Sequence, residues 1–176
     1  EVGDPMSAEI GMGDGFEPDV ILGPLIPEKQ MGRVLGYVDS GIAQGAELVT
    51  GGKRVERRGY FVQPTILANA GADTRIVREE IFGPVLAAVP FDELDDAVRL
   101  ANDTQYGLSG SIYTRNVSQA HKLAKQVRSG YLFVNCHGTY DVAVPFGGFK
   151  QSGWGRELGK EGLDAYLETK SVTVAL

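Results

Sequence analysis

Between Tyr60 and Asn135 apolar runs alternate with amphipathic stretches, and that alternation restricts the available folds more than any other feature. The runs "YFVQPTIL" (60–67), "VLAAVPF" (85–91), "GLSGSIYT" and "GYLFVN" (130–135) read as strands. The intervening "DELDDAVRLAND" and "VSQAHKLAKQV" read as helices, the first with Leu94, Ala97, Val98 and Ala101 along one face. Strands and helices alternating over short connections predict an α/β fold, a parallel-rich sheet with flanking helices. Pro64 predicts an edge or an interruption in the first run. The unbroken apolar run from Val85 predicts a strand covered on both faces.

The flanking segments complete this outline. Residues 1–20, rich in Gly, Asp and Pro, have no apolar period and read as irregular. From Pro27, Met31, Val34, Leu35, Val38 and Ile42 recur at helical spacing, and a short strand follows around Leu48. After Asn135 comes a long irregular stretch, "CHGTYDVAVPFGGFKQSGWGRELG", then a helix in "KEGLDAYLE" and a last strand, "SVTVAL". A loop of that length inside a compact domain is usually functional. The reading is one domain over 21–170 with a terminal strand at 171–176.

Composition excludes several classes of function. A net charge of −6 argues against nucleic-acid binding, which needs clustered cations, and "KRVERRG" reads as a solvated loop. No run is long enough to cross a bilayer and no charged-then-apolar leader opens the chain, so the expectation is a cytoplasmic protein without membrane partners. Cys136 is the single cysteine, which rules out an intrachain disulfide and a cysteine-clustered zinc site.

The stretch "REEIFGPVL" poses the sharpest chemical question, because Glu79 and Glu80 abut a run that reads as buried. A charge beside an apolar element is costly unless paired, so the pair is either a solvated edge or holds a carboxylate that takes a ligand. Cys136 invites a nucleophilic reading with His137, but neighbours in extended chain point to opposite faces. A small buried residue at a strand end is the favoured reading of that cysteine. "GWGREL" and "GMGDGF" lack the third small residue and the preceding strand of a dinucleotide fingerprint, and no Walker-type loop is present. Glu157 suits a helix start, where it complements the dipole. Tyr140 and Phe146 are equally readable as core aromatics or as pocket lining.

Taken in order, "LGPLIPEKQ", "GYFVQPTIL", "REEIFGPVL", "NDTQYGLSGSIYT", "SGYLFVNCHGTYDVAVPFGGFKQSGWGRELG" and "ETKSVTV" resemble the NAD(P)-dependent aldehyde dehydrogenases. The resemblance runs from about Gly11 to the C-terminus and implies the C-terminal part of that family's catalytic domain. It implies that Glu80 accepts hydrogen bonds from the nicotinamide-ribose hydroxyls, a task suited to a carboxylate. Phe82 would pack near the nicotinamide, and Gln30 and Arg33 would contact the same end of the cofactor. Glu79 would be a structural neighbour. The long loop would form one wall of the aldehyde tunnel, with Cys136, Tyr140 and Phe146 along it and Glu157 assisting proton relay. The last strand would join an intersubunit sheet in a homo-oligomer.

The family's nucleophilic cysteine, its general base and its oxyanion-hole asparagine lie upstream of "GPLI", as does the cofactor domain. The resemblance therefore implies a chain that is inactive alone and binds NAD or NADP weakly. The choice between the two cofactors stays open, because the residues reading the adenosine 2′ position also lie upstream. The alternative is a stand-alone binding or assembly module related to the same domain.

Overall fold

The computed structural model describes residues 10–176, so the first nine positions of the predicted irregular segment lie outside the described residues. The chain divides into two compact units, one extending to Phe91 and one over Asp92–Leu176. Strand pairing accounts for the division, since it stops at the boundary.

In the first unit, helix α1 (Glu28–Ala43) starts after Pro27 and carries Glu28 in its first turn. It is followed by β1 (Glu47–Thr50), β2 (Thr65–Ala68), the single-turn helix α2 (Arg75–Arg78) and β3 (Val85–Ala87). β2 is central, antiparallel to β1 and parallel to β3. α1 lies on this sheet through Met31, Val34, Tyr37 and Val38, which are buried together with Leu67, Ile76 and Ile81. Fully burying an apolar side chain of this size contributes roughly 1.5–3 kcal/mol, so these residues dominate the unit's stability. Gly41 lets the helix approach closely, because a Cβ there would stand 2.8 Å from Ile76 Cδ1 and 3.0 Å from Leu67 Cδ1.

Two expectations change here. The run at 60–67 enters the sheet only at Thr65, after single bridges at Tyr60 and Val62, because Pro64 has no N–H to donate. The apolar run at 85–91 shortens to Val85–Ala87 and forms an edge, leaving Leu86 55% exposed rather than covered on both faces.

In the second unit, α3 (Leu94–Asn102) leads to β4 (Ser109–Ile112), α4 (Val117–Gln126) and β5 (Tyr131–Val134). β4 and β5 are parallel and in register from Ser109–Tyr131 to Ile112–Val134, joined by the α4 crossover. Asn116 caps α4, its side chain accepting from the Gln119 N–H at 3.1 Å. A short turn of 3-10 helix (Lys150–Ser152) and α5 (Gly159–Asp164) follow, the latter ending sooner than the sequence suggested. Residues 171–176 make no strand within the single chain. A strand needs a hydrogen-bonded neighbour, and the described residues supply none to this segment. No described helix is long and apolar enough to cross a membrane.

Candidate functional site

The residues singled out by sequence fall in two groups, one in each unit. The first centres on residues 79–83, between α2 and β3. Phe82 sits at φ 59°, a left-handed conformation that is uncommon for a bulky residue. Gly83 then passes so close to α1 that a Cβ would lie 2.5 Å from Val34 Cγ2. α1 grips this turn from one side. Gln30 Nε2 donates to Phe82 O at 2.8 Å and to Ile81 O at 3.2 Å. Arg33 Nη2 donates to Glu80 O at 3.0 Å and to the Tyr37 hydroxyl at 3.2 Å.

The two glutamates differ sharply. The Tyr37 hydroxyl donates to Glu79 Oε2 at 2.6 Å, and Arg75 Nε lies 3.2 Å from both carboxylate oxygens. The Tyr37 hydrogen bond holds the Glu79 carboxyl below the usual range, with Arg75 adding to it and partial burial opposing. The Arg75 guanidinium is held more firmly protonated, chiefly by Glu79. Glu80 is exposed, and its carboxylate makes no hydrogen bond or ion pair among the described residues. The Phe82 ring is 71% exposed. Both side chains border an open recess of about 380 Å³ shared with Ile76, Val77 and Val85.

This geometry fits a dinucleotide's ribose end on chemical grounds. A free carboxylate offers two acceptor oxygens to a vicinal diol, and an exposed ring supplies a flat apolar surface beside it. The structure gives Gln30 and Arg33 to the backbone of the turn rather than leaving them free. Helix spacing alone places Ile42 rather than Tyr37 on the core face. Ile42 is 43% exposed, and Tyr37, 1% exposed, takes a core position because Glu79 satisfies its hydroxyl.

The second group surrounds β5. Tyr131 and Phe133 project on the same face of this strand, with ring centroids 4.7 Å apart. Tyr140 packs edge-on against Phe133 at 5.4 Å and against Phe146 at 5.2 Å. Tyr140 and Phe146 are thus brought together in one aromatic cluster. His137 joins it through Phe133 at 5.4 Å, and its Nδ1 lies 2.8 Å from Ser111 Oγ. The strand residues Tyr131 and Phe133 were not singled out from sequence, although their two-residue spacing was a usable signal.

Asn135 turns the chain off β5 at φ 55°, its side chain bonded to the backbone of Thr114 in both directions. Cys136, next in line, is a half-buried free thiol. Phe146 and Glu157 exchange two backbone hydrogen bonds of 2.7 Å, which sets these two predicted residues side by side. They border a recess of about 330 Å³ with Trp154 and Arg156, and the Glu157 side chain is exposed.

Comparison with known proteins agrees with these features. The model of the aldehyde dehydrogenase family matches residues 5–172. The chain is 45% identical to a mitochondrial aldehyde dehydrogenase of Leishmania tarentolae, over 93% of this chain and 33% of that protein. It is 44% identical to a betaine aldehyde dehydrogenase of Bacillus subtilis, over 93% and 34%. The fold superposes on the NAD+ complex of an aldehyde dehydrogenase from Bacillus cereus with a TM-score of 0.90 and 42% identity, covering 95% of this chain and 34% of that one. The chain spans about a third of the length of the relatives it matches. A family match over nearly its whole extent, at such identity, makes this chain a member of the aldehyde dehydrogenase family.

Proposed function

We propose that this chain is the C-terminal part of an NAD(P)-dependent aldehyde dehydrogenase, which oxidises an aldehyde to a carboxylic acid. The observation that carries the reading is the contrast within "EEIFG": Glu79 is tied to Tyr37 and Arg75, while Glu80 is free and faces a recess. In that role Glu80 accepts from the nicotinamide-ribose hydroxyls and Phe82 flanks the nicotinamide ring. Gln30 and Arg33 serve the same end of the cofactor through the turn they hold. When bound, the cofactor accepts the hydride that leaves the aldehyde carbon. The NAD+ complex of the Bacillus cereus relative supports NAD, and NADP remains the alternative.

Cys136, Tyr140 and Phe146 form one wall of the aldehyde path in this reading. The aromatic edges and faces of the cluster bind the apolar part of the substrate and exclude water. Glu157, beside Phe146 and open to solvent, can pass a proton between that wall and bulk water. Cys136 is not the nucleophile in this reading, for no described side chain hydrogen-bonds its thiol. The chain alone is therefore inactive. Incubated with NAD+ and a panel of aldehydes, it shows no cofactor reduction above a blank; clear turnover contradicts the proposal.

A second reading, a module that acts by association, is favoured by one observation. Val172, Val174 and Leu176 alternate along the last segment and are all strongly exposed. In the intact enzyme this segment would pair with another subunit, giving a homo-oligomer. Size-exclusion chromatography with light scattering separates the cases: removal of 171–176 turns an oligomer into a monomer if the segment pairs, and leaves the mass per particle proportionate if it does not.

A further inference from the structure

We propose that Tyr37 is a positioning residue, which presents Glu80 and Phe82 to the cofactor by locking the turn at 79–83 onto helix α1. The inference rests on the proposed cofactor role of Glu80. Neither the spacing of the sequence nor the family blocks assigned Tyr37 any part in it.

The connections are continuous. The phenol lies in the core, 1% exposed, with its hydroxyl at the core's edge. The hydroxyl donates to Glu79 Oε2 and accepts from Arg33 Nη2, and the same nitrogen of Arg33 donates to Glu80 O. One phenol oxygen therefore couples the side chain of Glu79 to the backbone of Glu80. The ring is itself flanked by cations, with the Arg75 guanidinium carbon 4.4 Å and that of Arg33 5.4 Å from its centroid. Gln30, one turn before Arg33 on α1, holds the carbonyls of Ile81 and Phe82. Gln30, Arg33 and Tyr37, at intervals of three and four, form one stripe on the helix.

The turn needs such a lock. Phe82 is held at positive φ with its ring outward, a conformation that persists only when the surroundings impose it. Glu80 has no side-chain tie of its own, so its direction follows its backbone. Loss of the phenol oxygen removes one partner from Arg33 and one from Glu79, leaving each held only by Glu80 O and by Arg75 respectively, and lets the turn relax. An acceptor pair aimed at a diol binds weakly when its backbone samples several orientations, because ordering it then opposes binding.

Tyr37→Phe removes the oxygen and keeps the ring in the core. The test is backbone 15N relaxation on the 176-residue chain, combined with titration by nicotinamide mononucleotide, which carries the ribose end without adenine. The proposal expects order parameters at Glu80–Gly83 to fall from the rigid value of ~0.85 towards ~0.6, while Leu67 in β2 stays rigid. It expects the mononucleotide to bind about tenfold more weakly, the factor expected for a charge-assisted hydrogen bond. A pH profile separates positioning from packing. In the wild type the turn loosens when acid protonates Glu79, which is faced by Tyr37 and Arg33 from α1 and by Arg75 from α2; in Tyr37→Phe it is already loose at neutral pH, and acid changes its order parameters little.

Unchanged order parameters at 80–83 overturn the proposal, and so does equal loosening at Leu67. If Tyr37→Phe fails to fold, Arg33→Met breaks the same relay from the exposed face of α1 and must loosen the turn. If the wild type shows no mononucleotide shifts at Glu80 or Phe82, the cofactor reading fails, while the relaxation data still decide whether Tyr37 locks the turn.

Discussion

Up to Phe91 the chain encloses Val34, Tyr37, Val38 and Leu67 almost completely; beyond Asp92, Ala120 and Phe133 are the buried hydrophobics among the described residues. Helix α1 sits on a three-stranded sheet and closes a core with it. Helix α3 has a strong apolar face, yet buries none of its residues. The second unit also leaves Tyr113, Val117 and Trp154 open to solvent. The difference teaches which half owns its structure. The first unit can hold its turn at 79–83 with its own side chains, whereas the second exposes surfaces of the kind that a partner surface covers. Consistent with that, the chain spans only a third of each relative it matches.

The largest test of this contrast is Leu67→Ala. Leu67 is fully buried, and such a truncation costs about 2–5 kcal/mol. Urea unfolding followed by NMR should show the loss in signals from α1 and β2, with β4 and β5 much less affected. Equal loss in both units would break the comparison. Tyr140→Ala probes the other side. Tyr140 is 51% exposed and engages Phe133 and Phe146 edge-on, so its removal should cost about 1 kcal/mol, confined to the second unit. A loss as large as that for Leu67→Ala would show a core there of equal weight.

Acid gives a smaller, signed effect. The folded-state carboxyl of Glu79 titrates below its unfolded value. Its contribution is therefore present above the ordinary carboxylate pKa and is lost as pH falls through its own lower value. As pH is lowered through the ordinary carboxylate range and below it, denaturation midpoints should fall for the first unit. Glu79→Gln should remove that part of the fall. An identical pH profile in Glu79→Gln would show that the pair with Tyr37 and Arg75 adds nothing.

The sequence made the helices and the βαβ order readable because each rests on local spacing. Met31, Val34 and Val38 fall on the buried face of α1 as their period requires, and Asn116 caps α4 where an amphipathic run begins. Strand ends were less readable. The apolar run at 85–91 promised seven strand residues by hydrophobicity alone, but pairing with β2 ends at Ala87. Covering of its outer side depends on neighbours, which a local pattern does not encode. The free carboxylate of Glu80 could be suspected from its place beside an apolar run, and the role proposed for it rests on family resemblance. The Tyr37–Glu79 bond joins positions 42 apart and has no local signature. Gln30 and Arg33 were placed near the cofactor by family resemblance alone, and their bonds to carbonyls of the turn, 52 and 47 positions away, likewise have no local signature.

Glu80→Gln tests the central claim most directly, since it changes one exposed, unpaired group. Stability should move by less than about 0.5 kcal/mol, as expected for a surface substitution. Titration of the wild-type chain with nicotinamide mononucleotide should shift the NMR signals of Glu80, Phe82 and Gly83, and Glu80→Gln should abolish those shifts. Shifts that persist in the variant, or that fall elsewhere in the chain, would contradict the assignment of Glu80 to the nicotinamide ribose.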